Sequence, residues 1–168
     1  MSAAWGKICV AGAFWVAALS IHPANAQSAT PQDPTFPRIA FVKIDVNDLD
    51  ATSKAYCQAL GMQDIGRIHS KTPLIDEATL KFGAAADEAK ASNHTGIVLV
   101  FKPGRKPLHG APGKTPSAVL TVPSVEDTVK HATDAGFTVV EKPRSEGTFS
   151  VAMVADASGN VIELIHLP

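Results

Sequence analysis

Cysteine is almost missing from this chain of 168 residues: Cys9 and Cys57 are its only two. Cys9 falls in an N-terminal segment expected to be removed. That leaves Cys57 alone and excludes an intramolecular disulfide framework. Cys57 stands beside Tyr56 in a helical pattern, without the electropositive surroundings that activate a thiol, so it reads as buried and inert. An excess of charge of either sign is missing too. Fifteen Lys and Arg stand against sixteen Asp and Glu, and the one locally basic stretch is the loop at Lys102, Arg105 and Lys106. No nucleic-acid surface follows from that pattern. Nor is there a membrane span: the longest apolar run, Ile8 to Ile21, falls short of the roughly 20 residues a transmembrane helix needs.

That run has another reading. Lys7 precedes it and Ala24-Asn25-Ala26 follows as a small-x-small cleavage site. Residues 1–26 are therefore expected to be a secretory signal peptide, with Gln27 opening a mature chain that is periplasmic or secreted and keeps no stable membrane span. Residues 27–36 are polar and contain prolines, the composition of a flexible linker. The ordered domain is expected from Pro37 onward. The chain's hydrophobic content of 45 % suits one domain with a real core.

Ile39 to Val46 alternates, with Ala40, Val42, Ile44 and Val46 on one face and Phe41, Lys43 and Asp45 on the other. This predicts a strand packed on one side. Asn47-Asp48 supplies a turn or N-cap and Asp50 a first-turn charge. Leu49, Tyr56, Ala59 and Leu60 recur at helical spacing, and Gly61 stops the helix, because glycine adopts the left-handed C′ conformation at little steric cost. Asp64–His69, Ala78–Phe82 and Gly96–Phe101 read as strands, residues 84–93 as a loop or short helix, and Pro103–Pro116 as a loop. The pattern then recurs. Ser117–Val122 is a strand, Ser124-x-x-Asp127 a helix start, Val125, Val129 and Ala132 a helical face, and Gly136 its stop. Strands follow at Phe137–Val140, Phe149–Val154 and, after the turn Ser158-Gly159-Asn160, Val161–Ile165. Thr52, Lys54 and Ala59 recur as Thr128, Lys130 and Ala135 at a spacing of 76, and Gly96–Phe101 answers to Asn160–Ile165 at a spacing of 64. Two such units predict a pseudo-two-fold domain with half-modules at about 37–103 and 115–168.

These residues carry a resemblance. Val46-Asn47-Asp48-Leu49-Asp50 running to Tyr56 and Leu60-Gly61-Met62, together with Asp156-Ala157-Ser158-Gly159-Asn160-Val161-Ile162-Glu163-Leu164, resemble the vicinal oxygen chelate superfamily: glyoxalase I, extradiol dioxygenases, and the fosfomycin- and bleomycin-resistance proteins. The resemblance spans Pro37 to Pro168. It implies an α+β fold of two βαβββ modules forming a cupped, partly open mixed-sheet barrel with helices on the convex side. It also implies one metal ligand on each of four strands, at positions that fall on Phe41, Leu99, Ser117 and Glu163. Only Glu163 is a usual ligand type, and a stable transition-metal site needs three or four. No cofactor is therefore expected. A divalent metal is the alternative, held by Glu163 with His69, and would imply a lyase, isomerase or dioxygenase with displaced ligands.

By strand parity the concave surface should include Phe41, Lys43, Asp45, Ile97, Leu99, Phe101, Ser117, Val119, Thr121, Val161, Glu163 and Ile165. That is an apolar pocket with a few polar groups, as small-molecule sites usually are. Phe41 and Phe101 would stack on a flat ligand, and Lys43 and Glu163 would fix a polar end. Glu163 has three readings: general base, acceptor for a bound ligand, or a residue salt-bridged to Lys43 or Arg144. The expected function is an exported protein that holds a small, partly apolar organic molecule without metal, as a homodimer like the bleomycin-resistance group. An interaction domain with a filled cup is the third reading.

Overall fold

The computed structural model describes residues 39–108 and 115–168. The expected signal peptide, the linker and the middle of the Pro103–Pro116 loop lie outside the described residues. Among the described residues no helix is long and apolar enough to cross a membrane.

The first module runs β1 (Phe41–Val46), α1 (Leu49–Leu60), β2 (Met62–Lys71), β3 (Leu74–Phe82), α2 (Ala86–Ala91) and β4 (Gly96–Phe101). The second runs β5 (Ala118–Thr121), α3 (Val125–Asp134), β6 (Thr138–Glu146), β7 (Phe149–Ala155) and β8 (Val161–His166). Each module forms its own four-stranded mixed sheet, in the orders β1-β4-β3-β2 and β5-β8-β7-β6. In both, the first strand pairs parallel with the last and the rest is antiparallel. The α+β architecture of two βαβββ units is thus the one the sequence implies, with α2 as an addition to the first.

The local reasons are those the sequence displays. The Asp48 carboxylate accepts from Ala51 N at 2.9 Å and Gly61 closes α1 at φ +66°, so both ends of the helix are satisfied. The Ser124 hydroxyl does the same for Asp127 N at the start of α3. The short α2 has its C-terminus covered by the buried Lys81, whose ammonium donates to Ser92 O, where a cation complements the helix dipole.

The apolar faces of both sheets feed one core. Ile44, Val46, Ala78, Leu80, Ile97 and Leu99 come from the first sheet, and Ala152, Val154, Ile162 and Leu164 from the second. Tyr56 of α1 and Val125, Val129 and Ala132 of α3 lie among them. Helix α1 packs on β2, β3 and β4, α3 packs on β6, β7 and β8, and the helices pack on each other. The Tyr56 and Phe137 rings meet across the modules with centroids 5.3 Å apart and planes tilted by 53°, a favourable aromatic arrangement. Because both sheets turn their helix-bearing faces into this shared core, their opposite faces lie outside it.

Register corrects one expectation. Lys43 stands opposite Val98, Ile44 opposite Leu99, and Val46 opposite Phe101. Directly paired residues share a face, so Leu99 and Phe101, and Ile97 with them, belong to the core side and not to the cup. The cup side of β4 carries Val98 and Val100. The sequence hid this because Ile97, Val98, Leu99 and Val100 are all apolar and all nearly fully buried, and without alternation a strand's facing cannot be read from its own residues. The equivalence between β4 and β8 is accordingly 65 positions, not 64: Val98 answers to Glu163, each lying beside its module's first strand at Lys43 and Val119.

Candidate functional site

The two open sheet faces are the candidate site. On the first, β1 presents Phe41, Lys43 and Asp45, β4 presents Val98 and Val100, and β3 presents Glu77, Thr79 and Lys81. Phe41 is 43 % exposed, and its ring lies over Gly96, where an added Cβ would come within 2.8 Å of Phe41 Cε1. Lys43 donates to Glu77 Oε1 at 2.6 Å, the exposed lysine holding a carboxylate that is almost wholly buried. Glu77 and Lys81 were not singled out from sequence. The signal was there in Leu74–Phe82, where they alternate with Ala78 and Leu80, but only its second half reads as a strand unaided.

On the second face, Val119 and Thr121 of β5 lie beside Glu163 and Ile165 of β8, and Met153 of β7 flanks Glu163 on its other side. Val119 is 58 % exposed. Ser117 sits just before β5, its amide donating to Val161 O at 2.7 Å. Glu163 is half-buried between Val119 and Met153 and makes no side-chain hydrogen bond or ion pair among the described residues. Lys43 goes to Glu77, and Arg144 goes to Glu146 and, at 3.6 Å, to Glu141. Neither salt bridge expected for Glu163 forms. A carboxylate on an apolar sheet face without a partner is an acceptor waiting for a donor.

Asp45 is placed on the open face but is engaged. Arg105 and Lys102 hold it at 2.5 and 2.9 Å, and the neighbouring Asn47 clasps Leu108 through both its side-chain amide and its carbonyl. Together they tie residues 102–108 to the end of β1. Burial pushes the Asp45 carboxyl up, but the hydrogen bonds and charges of Arg105 and Lys102 outweigh it and hold it below its usual value. A lowered carboxylate stabilises the fold fully above its unfolded pKa of about 4 and loses that contribution as pH falls through the folded value. Asp45→Asn should therefore be less stable than the wild type at pH 7, and the gap should be smaller at pH 3, below the unfolded value of about 4. Urea midpoints at the two pH values check this, and an unchanged gap would remove Asp45 from the acid response.

His69 and Glu163 are not brought together. His69 pairs with Asp76 across the β2–β3 hairpin, on the core-side face, whereas Glu163 lies on the open face of the other sheet. The physical reason is parity within β2: Arg67 and His69 share a face, and Arg67 reaches Asp50 of α1 at 2.8 Å. His69 instead lines a cleft of about 530 Å³ at the start of α1 with Arg67, Asp76 and Phe101. With the register corrected, the four positions that a metal-binding member of this fold would use carry Phe41, Val98, Ser117 and Glu163. Two have no donor atom, so the set does not fit a transition metal. Among the described residues no group of three His, Cys, Asp or Glu is close enough to hold one.

The modules are locked to each other by Asp156, which lies buried in the turn before β8. It accepts hydrogen bonds from Tyr56 Oη at 3.1 Å, Ser158 N at 2.8 Å, Asn160 N at 3.0 Å and Asn160 Nδ2 at 2.9 Å. Asn160 Nδ2 also reaches Asp45 O and Ser158 Oγ accepts from Asn47 N, so one turn fixes the end of β1 and with it the open face. Burial, followed by the charge of Asp156, pushes the Tyr56 phenol well above its usual value, which keeps it a donor.

Paired βαβββ modules with open mixed faces define the vicinal oxygen chelate class. The family model of the Glyoxalase/Bleomycin resistance protein/Dioxygenase superfamily matches residues 38–164, and the chain belongs to that family. No curated protein matches it. Among solved structures it is similar to the trypanothione-dependent glyoxalase I of Leishmania major, at 22 % identity and a TM-score of 0.61, over 78 % of this chain and 87 % of that one. It is also similar to a glyoxylase/bleomycin resistance protein/dioxygenase domain from Frankia sp. EAN1pec, at 16 % identity and a TM-score of 0.61, over 80 % and 100 %. Glyoxalase I from Zea mays aligns at 21 % identity and a TM-score of 0.59, over 76 % of this chain but only 44 % of the maize enzyme. The chain thus spans less than half of the maize enzyme's length. These likenesses establish the fold.

Proposed function

We propose that this protein is exported and binds a small, partly apolar organic molecule, without the metal used elsewhere in the family, in a cup formed between two copies of the chain. The observation that carries the reading is the pair of sheet faces outside the shared core, each partly apolar and one bearing Glu163, which has no partner among the described residues. One copy would supply Phe41, Val98 and the Lys43–Glu77 pair. The other would supply Val119, Thr121, Met153 and Glu163, which accepts a hydrogen bond from the ligand. A two-fold dimer of this kind makes two identical cups and closes on itself. The export reading rests on Lys7, the apolar run after it and Ala24-Asn25-Ala26.

The test uses a fragment screen by thermal shift to find a binder, followed by Phe41→Asp and Glu163→Lys, each expected to abolish its binding. If the cup is shared, exchanging the two variants as subunits at equal amounts restores about a quarter of the wild-type sites, because half the dimers are mixed and each has one intact cup. Restoration of none, with the wild type still binding, would place the cup within one chain. A wild type that binds nothing in the screen would sink the binding function itself.

A further inference from the structure

We infer a second ligand site, meeting the cup only at Thr121, in the groove where the C-terminus of α1 meets the N-terminus of α3. The helix pair has two ends that the internal repeat makes equivalent. At one end Asn47, Asp48, Ala51 and Thr52 face Ala135–Phe137, and the turn at Asp156–Ser158 closes the gap, leaving a cavity of about 200 Å³. At the other end Gln58–Gly61 face Ser124, Asp127, Thr128 and His131, and the cavity is about 530 Å³.

The difference has a cause in the chain. Between β7 and β8 the connection is the tight turn of residues 156–160, which enters the groove. Between β3 and β4 the connection is residues 83–95, which carry α2 and lie against β2 and β3 instead. At the repeat spacings the counterpart of Tyr56 is Ala132 and that of Asp156 is Ala91. The second groove therefore has neither the phenol nor the carboxylate that stand at these positions in the first.

The walls say what would fit. Leu60, Phe82, Val122 and Pro123 are apolar, and Asp127 stands at the rim with a carboxylate that makes no ion pair among the described residues. The volume falls in the usual range for small-molecule pockets. An anion would be repelled by Asp127, which with Glu126 offsets the positive end of α3, and the apolar walls disfavour stripping water from a charged ligand of either sign. The ligand class is an uncharged, mainly apolar molecule with one N–H or O–H donor for Asp127. This site shares Thr121 and Phe82 with a neighbouring cleft of about 390 Å³ beside β5 but includes neither Glu163 nor Phe41.

Indole is a suitable probe and 1-methylindole its control without the donor. Titrated into the purified protein and followed by amide chemical shifts, indole should perturb Leu60, Val122, Thr128 and His131 saturably. 1-Methylindole should bind about tenfold more weakly, the factor that one hydrogen bond to a carboxylate supplies. Gln58→Trp, at an exposed position, should fill the groove and remove binding of both. Asp127→Asn, also exposed, should shrink the difference between the probes. The inference is overturned if indole shifts saturate at Val119 and Glu163 instead, if no shift saturates, or if Gln58→Trp binds indole like the wild type. Saturation at Val119 and Glu163 would be binding on the cup face, whereas failure of the cup's own test, made with Phe41 and Glu163 variants, leaves this groove untouched.

Discussion

Replacing Asp156 by alanine should cost about 4 kcal/mol, the largest loss expected from any single polar substitution in this chain. The carboxylate is buried and accepts four hydrogen bonds from Tyr56, Ser158 and Asn160. Hydrogen bonds to a charged group contribute about 1.5–3 kcal/mol each and do not add fully, while each buried donor left unpaired costs about 1–3 kcal/mol. For a domain of this size the loss corresponds to a fall of roughly 15 °C in Tm. Tyr56→Phe removes one of the four bonds and leaves the ring packed on Phe137, so it should cost only about 1.5–2 kcal/mol. Urea denaturation of both variants measures the difference, with an unchanged slope showing that stability alone has moved. A loss for Asp156→Ala no greater than that for Tyr56→Phe would mean that the turn is held by something other than this carboxylate.

Gly96→Val should be nearly as damaging, for a reason of space. Gly96 opens β4, and a Cβ built there would lie 2.6 Å from Leu80 O, 2.8 Å from Lys81 Cγ and 2.8 Å from Phe41 Cε1. Two of these neighbours are side chains that can shift, but Leu80 O is backbone in the adjacent strand. Overpacking typically costs 1–3 kcal/mol, and about 3 kcal/mol is expected for valine. The same change would lift the Phe41 ring off the sheet, so the cup should lose its aromatic wall as well. Pairing Gly96→Ala with Phe41→Ala separates the two contributions. If crowding of the ring were the whole effect, the double variant would recover the stability lost by Gly96→Ala. The structure predicts partial recovery, because the carbonyl remains.

How much of this was legible in the residues depends on contrast between neighbours. β1 could be faced because Lys43 and Asp45 interrupt its apolar side, and β8 because Glu163 sits between Ile162 and Leu164. The helices were bounded by residues with one job, Asp48 and Ser124 at their starts and Gly61 at the end of α1. β4 offered no contrast, so its facing had to come from the parallel register with β1, and a slip of one residue moved Leu99 and Phe101 to the wrong side. The Asp156 bonds were illegible for a different reason. The Tyr56 phenol and its Asp156 acceptor stand a hundred residues apart, and nothing local in either announces the other. The unequal grooves follow from where α2 lies, which residues 84–93 do not disclose by pattern.

The pairing of Tyr56 with residues of the second module has a consequence for how the protein is made. The first module is synthesised before the second, so its Tyr56 phenol has no acceptor until Asp156 has left the ribosome, and its ring has no partner until Phe137 has. Over that interval the helix-bearing face of the first sheet is without half of its core. Maturation of the first module is therefore tied to synthesis of the second.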